Sequence, residues 1–262
     1  MITFPGSKIN LGLSVLEKRE DGYHNLNSVF YPLDLSDVLE IVSSDSFDFT
    51  QSGSSIPGSI EENIVMKAYH LMQSRHGIDP CHIHLHKVVP SGGGIGGGSA
   101  NGTSTLIVLN ELFELDLPMK TLHEYALELG SDCPFFLYDS PCKVSGRGET
   151  VKPIELDLSD HFIKLVNPGI HISTAQAFGG LTIKQEESLA TDWKKPESWK
   201  ETLINDFEPG AFNAHPEIKQ IKDRLYEEGA VYASMTGTGS SVYGLFREKP
   251  EDTFSDYFEL IS

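Results

Sequence analysis

The run Pro90-Ser91-Gly92-Gly93-Gly94-Ile95-Gly96-Gly97-Gly98-Ser99-Ala100-Asn101 decides how the rest of the chain is read. Six glycines around one isoleucine let a backbone approach a ligand closely and turn successive N–H groups inward. A flexible connector is the other reading of a glycine run, but the flanks here carry regular patterns. Upstream, His82 to Val89 sets Ile83 and Leu85 against His82, His84 and His86, which is the period of a strand. Downstream, Leu106, Leu109 and Phe113 mark a helix, so the loop feeds a helix N-terminus, where free N–H groups attract phosphate. Gly98 stands where a Walker A loop requires lysine, which excludes that motif. Gly92, Gly94 and Gly97 satisfy the short GxGxxG spacing, with Asp116 at a tolerable distance for a ribose acid, so a Rossmann dehydrogenase stays open.

Working outward, Ile9 to Leu16 reads as a strand that stops at the charged run Glu17 to Gly22. Ser28 to Leu35 and Asp37 to Val42 read as strands, and Ser44 to Gly58, rich in Ser, Gly and Asp, as an exposed loop. Ile64, Val65, Ala68, Leu71 and Met72 predict a helix ending near Gly77, and Leu122, Ala126 and Leu129 one that Gly130 terminates. After a passage from Pro141 to Pro153, Phe162 to Val166 opens a second unit, with a helix from Pro216 and short strands flanking Thr236 to Ser240. The length of 262 residues suits two modest domains, expected at 1–153 and 154–262. Strands and helices mix without a steady βαβ repeat, so α+β is expected rather than a doubly wound parallel sheet.

The 38 acidic and 20 basic residues leave a net charge of −18, which repels polyanions and argues against a nucleic-acid partner. A small phosphorylated ligand remains compatible, because backbone N–H groups, a few cations and a divalent metal act locally. Cys81, Cys133 and Cys142 show no CxxC spacing, so no disulfide framework is expected. No stretch approaches the ~20 apolar residues of a membrane span, and Met1 to Lys8 lacks a leader pattern. No membrane partner and a cytoplasmic location are expected. His82, His84 and His86 share a face, but no cysteine or acid cluster at ligand spacing joins them, so they read as a half-exposed strand face.

Three further places could carry chemistry. Lys8 lies in Pro5-Gly6-Ser7-Lys8-Ile9-Asn10, and Tyr23 and His24 follow Asp21-Gly22; each also reads as ordinary exposed surface. Asp132, in Gly130-Ser131-Asp132-Cys133-Pro134, is either the N-cap of a helical turn or a fixed carboxylate for proton abstraction.

Together, Pro5 to Leu11, Pro90 to Asn101 and Met235-Thr236-Gly237-Thr238-Gly239-Ser240-Ser241 resemble the GHMP kinase superfamily across nearly the whole chain. Lys8 to Asn10, Asp21 to His24, Gly96 to Ser99 and Gly130 to Pro134 are similar to the branch acting on a cytidine-diphosphate-linked methylerythritol. Glu61 to Lys67 and Asn205 to Glu208 also look like family segments. The resemblance implies a ribosomal-protein-S5-domain-2-like N-terminal domain, a ferredoxin-like C-terminal domain and an active site in the inter-domain cleft. It further implies ATP and Mg²⁺, with the γ-phosphoryl group passed to the substrate 2-hydroxyl in non-mevalonate isoprenoid synthesis by a monomer or homodimer.

Residue by residue, the resemblance implies Lys8 and Asp132 as the catalytic pair. It places Pro90, Ser91, Gly92, Gly93, Gly94, Ile95, Gly96, Gly97, Gly98 and Ser99 around ATP, with Ser99 also the implied metal ligand. Asn63 and Ile64 would border the adenine, and Lys87 the nucleotide or base region. Tyr23 and Phe178 would sandwich the cytosine, His24 would meet its polar edge, and Asn10 and Thr174 would touch substrate, with Gly237, Thr238 and Gly239 closing over the site. The chain departs from the family pattern at Ala100, where a second serine is usual, and at Gly6-Ser7 before the lysine. Other readings are a GHMP kinase for mevalonate, homoserine or a sugar, and a non-catalytic nucleotide-binding regulator. Retention of both Lys8 and Asp132 argues against the regulator, since binding alone needs no such carboxylate.

Overall fold

The computed structural model describes residues 1–179, 181 and 195–262. In chain order, β1 (Ile2–Thr3), β2 (Ser7–Lys18), β3 (His24–Leu33), β4 (Val38–Ser43) and β5 (Asp48–Gly53) precede α1 (Ile64–His76). Then come β6 (Cys81–Lys87), α2 (Gly97–Leu112), α3 (Met119–Leu129), β7 (Cys142–Gly146), β8 (Thr150–Pro153) and β9 (Phe162–Asn167). The short helices α4 (Thr174–Gly179), α5 (Trp199–Thr202) and α6 (Glu208–Ala214) lead to α7 (Pro216–Glu227), β10 (Tyr232–Met235), β11 (Val242–Phe246) and β12 (Phe258–Ile261). The mixture is α+β.

Contacts group the chain into two compact units: residues 1–8, 32–91 and 96–139, and residues 9–31, 92–95 and 140–262. This differs from one cut near Pro153, because β2 and β3 lie in one sheet with β7 and β8, and Leu13 bridges to Asn205. Local composition does not reveal pairing between strands so far apart in sequence.

In the first unit, β1, β4, β6 and β5 form a sheet in that order. Its Leu39, Ile41, Ile83 and Leu85 pack with α1, α2 and α3 through Val65, Met72, Leu106, Leu109, Leu122 and Ala126. Each fully buried aliphatic side chain contributes about 1.5–3 kcal/mol of transfer free energy. Asn63 caps α1 by accepting from Val65 N, and Gly77 closes it in the left-handed conformation at φ 63°. The Ser44 to Gly58 stretch is not wholly loop, since β5 runs within it parallel to β6. Phe49 packs on the core while Thr50 and Ser52 hydrogen-bond the outward histidines His84 and His86. A polar edge strand of this kind leaves almost no hydrophobic alternation to read.

In the second unit, β9 lies between β11 and β12, and β10 flanks β11, an antiparallel order met in ferredoxin-like sheets. Ile218, Ile221 and Leu225, at helical spacing on α7, bury against Val166, Ala233, Met235 and Val242. The opposite face of α7 is charged and carries the Lys219–Asp223 pair.

Candidate active site

In the first unit, the two stems of the glycine loop are tied to one carboxylate. Asp37 is fully buried; its Oδ1 accepts from Val88 N at 2.7 Å and Val89 N at 2.8 Å, where β6 ends. Its Oδ2 accepts from Lys87 Nζ at 2.5 Å and from Asn101 Nδ2, on α2, at 2.8 Å. Lys87 is thus buried in an ion pair beneath the loop; burial pushes its ammonium below the usual lysine value, and Asp37 opposes that. Asp37 stands at the start of a stretch that reads as a strand, and nothing local in the sequence signals this role.

Lys8 and Asp132, 124 positions apart in sequence, meet in this unit with Nζ 3.2 Å from Oδ2. The lysine side chain is 2% exposed and the aspartate 36%, so the cation is enclosed while the carboxylate still faces outward. Asp132 precedes a 3₁₀ turn, Cys133–Leu137, yet its side chain makes no cap hydrogen bond. The cap reading of Asp132 thus finds no hydrogen bond to support it, and its carboxylate is paired with Lys8 instead. Thr103 of α2 holds the Cys133 carbonyl at 2.8 Å, and Ser99 hydrogen-bonds the Cys133 thiol, which burial pushes up to about 12. Asp132 is therefore braced from the helix that the glycine loop opens.

Asn63 is the α1 cap, and Ile64 abuts Gly102 of α2, so both already serve the packing of this unit. Gly97 and Gly98 form the first turn of α2, with Gly96 as N-cap, and Ser91 Oγ is buried with no hydrogen-bond partner among the described residues.

In the second unit, Gly92 to Ile95 lies on the turn Thr236 to Ser241. A Cβ on Gly93 would strike Asn167 Nδ2 and come within 2.6 Å of Ser241 Oγ; one on Gly94 would strike the Thr236 carbonyl. Gly94 also has φ 75°, the left-handed region that favours glycine. Ser241 N donates to Gly93 O at 3.2 Å, and Asn167 Nδ2 donates to Ser241 Oγ at 2.8 Å. The Thr236 hydroxyl lies 3.2 Å from Gly94 O and 3.1 Å from Asn10 Oδ1. Asn10 Oδ1 also accepts from Gly237 N at 2.9 Å, and its Nδ2 donates to Ser28 Oγ at 2.9 Å. Asn10, Gly237 and the glycines of this loop are thus brought together, with Asn10 acting as a brace.

The aromatic set lies in the same unit. His24 stacks on Phe178 at 4.9 Å and 25° between planes, and Phe178 meets Phe207 edge-on at 5.0 Å. Tyr23 is half exposed, with the Arg147 guanidinium 4.9 Å above its ring. Arg147 is a residue that sequence reasoning did not single out. Thr174 opens α4, and Thr238 helps line a cavity of about 240 Å³ with Ile172, Gln176, Phe207 and His215.

Residues 63–140 match the family model for the GHMP kinases N terminal domain, and residues 188–258 that for the GHMP kinases C terminal. The fold and the glycine loop thus have the pattern of the GHMP kinases, which phosphorylate small molecules with ATP. A 4-diphosphocytidyl-2-C-methyl-D-erythritol kinase from Bacteroides thetaiotaomicron is 48% identical over 262 residues, 98% of this chain and 95% of its own. Another of that name, from Azobacteroides pseudotrichonymphae, is 45% identical over 260 residues, 97% of each chain. A crystal structure of 4-(cytidine 5'-diphospho)-2C-methyl-D-erythritol kinase superposes with a TM-score of 0.77 at 30% identity, covering 94% of this chain and 90% of its own. The chain belongs to this family of GHMP kinases. Among the described residues no helix is long and apolar enough to cross a membrane.

Proposed function

We propose that the protein transfers the γ-phosphoryl group of ATP to the 2-hydroxyl of 4-diphosphocytidyl-2-C-methyl-D-erythritol. The Lys8–Asp132 pair, 3.2 Å apart with only the carboxylate open, carries this reading. Phosphoryl transfer requires mainly positioning and charge neutralisation. Asp132 takes the proton of the attacking hydroxyl, and the enclosed Lys8 ammonium stabilises the negative charge that develops there. The backbone from Ser91 to Ser99 supplies N–H groups to the triphosphate, and the start of α2 adds its field.

The unpartnered Ser91 hydroxyl suits a phosphate or metal ligand. Ser91 and Ser99 are the residues that would hold Mg²⁺, which when bound neutralises phosphate charge. Among the described residues no group of three or more His, Cys, Asp and Glu could hold a metal.

For the acceptor, Tyr23, His24 and Phe178 offer aromatic surface and one hydrogen-bonding edge, which suits a neutral base in an acidic chain. Mevalonate, homoserine and a sugar have no base to stack there.

A coupled ADP-release assay with Mg²⁺ and ATP tests the reading on 4-diphosphocytidyl-2-C-methyl-D-erythritol, mevalonate, homoserine and galactose. Turnover of the cytidyl substrate alone is expected, and equal turnover of an unlinked alcohol would overturn the acceptor assignment. In Asp132→Asn, turnover is expected to fall by roughly a hundredfold or more while ATP affinity stays within a fewfold. Unchanged turnover would remove Asp132 from the chemistry.

A further inference from the structure

The Asn205–Glu208 segment, visible in the sequence as a family pattern without a role, is anchored to β2 by its main chain. Leu13 N donates to Ile204 O, and Asp206 N to Leu13 O, both at 2.9 Å. Asp206 Oδ2 accepts from Val15 N at 2.9 Å. From this fixed base the fully buried Asn205 side chain reaches the turn beneath the glycine loop. Its Nδ2 donates to Met235 O at 2.8 Å and Gly237 O at 2.9 Å, while its Oδ1 accepts from Phe207 N at 3.0 Å.

The Gly237 residue is consequently gripped on both sides, its carbonyl by Asn205 and its N–H by Asn10. A Cβ on Gly237 would come within 2.9 Å of Gly94 O, so a shift of this turn meets the glycine loop at once.

We propose that Asn205 is a positioning residue for ATP, holding the Thr236–Gly237 turn so that Gly93 and Gly94 present their backbone to the triphosphate. The inference rests on the reading of Gly92 to Ile95 as part of the triphosphate cradle. A neutral carboxamide suits the task because it donates two hydrogen bonds and accepts a third; an ionised carboxylate only accepts, and a hydroxyl donates once.

The test compares the full-length protein with Asn205→Ala and Asn205→Asp by titration calorimetry. The probes are the Mg²⁺ complex of the β,γ-imido analogue of ATP and, separately, cytidine diphosphate; thermal melts establish folding. For Asn205→Ala, the Kd for the ATP analogue is expected to rise about tenfold or more, with the Kd for cytidine diphosphate within about twofold. Asn205→Asp keeps the acceptor for Phe207 N but sets a carboxylate against two carbonyls. Its defect relative to the unsubstituted protein should be largest near pH 8 and shrink toward pH 6, because a protonated carboxyl regains one donated bond.

Equal losses for both ligands, an unchanged analogue affinity in folded Asn205→Ala, or a defect in Asn205→Asp that ignores pH would overturn the proposal. So would failure of both variants to fold at either pH, which would assign Asn205 to the fold alone. If the unsubstituted protein fails to bind the analogue, the triphosphate reading itself falls, a result distinct from tight binding that the variants share.

Discussion

Two stretches of the second unit, the ones we propose meet the ligands, are built in opposite ways. Gly92 to Ile95 lies on side chains that are themselves buried: Asn10, Asn167, Thr236 and Ser241 are 2%, 6%, 0% and 0% exposed. The turn Asp21 to His24 is held from outside, by Arg19 bridging Asp21 and Glu149 at 3.1 and 3.2 Å, while Tyr23 is 50% exposed. Backbone N–H groups can serve a triphosphate well only if their directions are fixed beforehand, so that side of the protein resembles a core. Aromatic stacking tolerates sliding, and exposed ion pairs of this kind are screened by solvent, so a stretch that serves a base can be looser. His24 and Phe178 even cover one another's ring faces.

Breaking the tight side should have the larger effect. In Gly94→Ala, the new methyl group meets the Thr236 carbonyl, in a left-handed conformation that costs a non-glycine residue about 1–3 kcal/mol even without a clash. Affinity for the ATP analogue is expected to fall roughly a hundredfold, equivalent to about 2.7 kcal/mol, while cytidine diphosphate binding changes less than about threefold. Calorimetry with both ligands measures this, and near-normal analogue binding would mean that the turn yields easily.

Tyr23→Ala tests the looser side. A stacked base contributes about 1–3 kcal/mol, so kcat/KM for the cytidyl substrate should fall about tenfold or somewhat more, with the KM for ATP unchanged. An equal rise in the ATP KM would show that the two stretches respond as one.

The same contrast governs what the amino-acid sequence discloses. The glycine loop is legible because its residues are adjacent and its flanks alternate in regular periods, and Lys8, Asp132 and Tyr23 stand in short motifs. What those residues touch is another matter. Asn10 and Thr236 are separated by 226 positions, and Asp37 and Asn101 by 64, and no local pattern pairs them. Asp37 therefore passes for the first residue of a strand although it ties both stems of the loop. Residues 9–31 pass for part of an N-terminal domain although their strands share a sheet with β7 and β8. β5 escapes notice for the complementary reason, that it is polar and exposed almost throughout, with Thr50 and Ser52 hydrogen-bonded to histidines of β6. Asn205 stands in a recognisable segment, yet its role follows only from where Gly237 lies.

The smallest expected effect sharpens the comparison most. The Arg147 guanidinium stands 4.9 Å over the Tyr23 ring, and the main-chain N–H of Arg147 donates to Glu149, which also binds Arg19. The guanidinium thus steadies the ring, and an exposed cation–π contact contributes about 0.5–1 kcal/mol. Arg147→Met keeps an apolar stem over the ring and removes the charge. The KM for the cytidyl substrate should rise about two- to fivefold, with kcat and the ATP KM unchanged and little dependence on salt. A larger loss that fades at high ionic strength would mean that Arg147 recognises substrate charge directly. Fixed electrostatics would then operate on the base side too, and the division between a rigid phosphate cradle and an accommodating aromatic one would fail at Arg147.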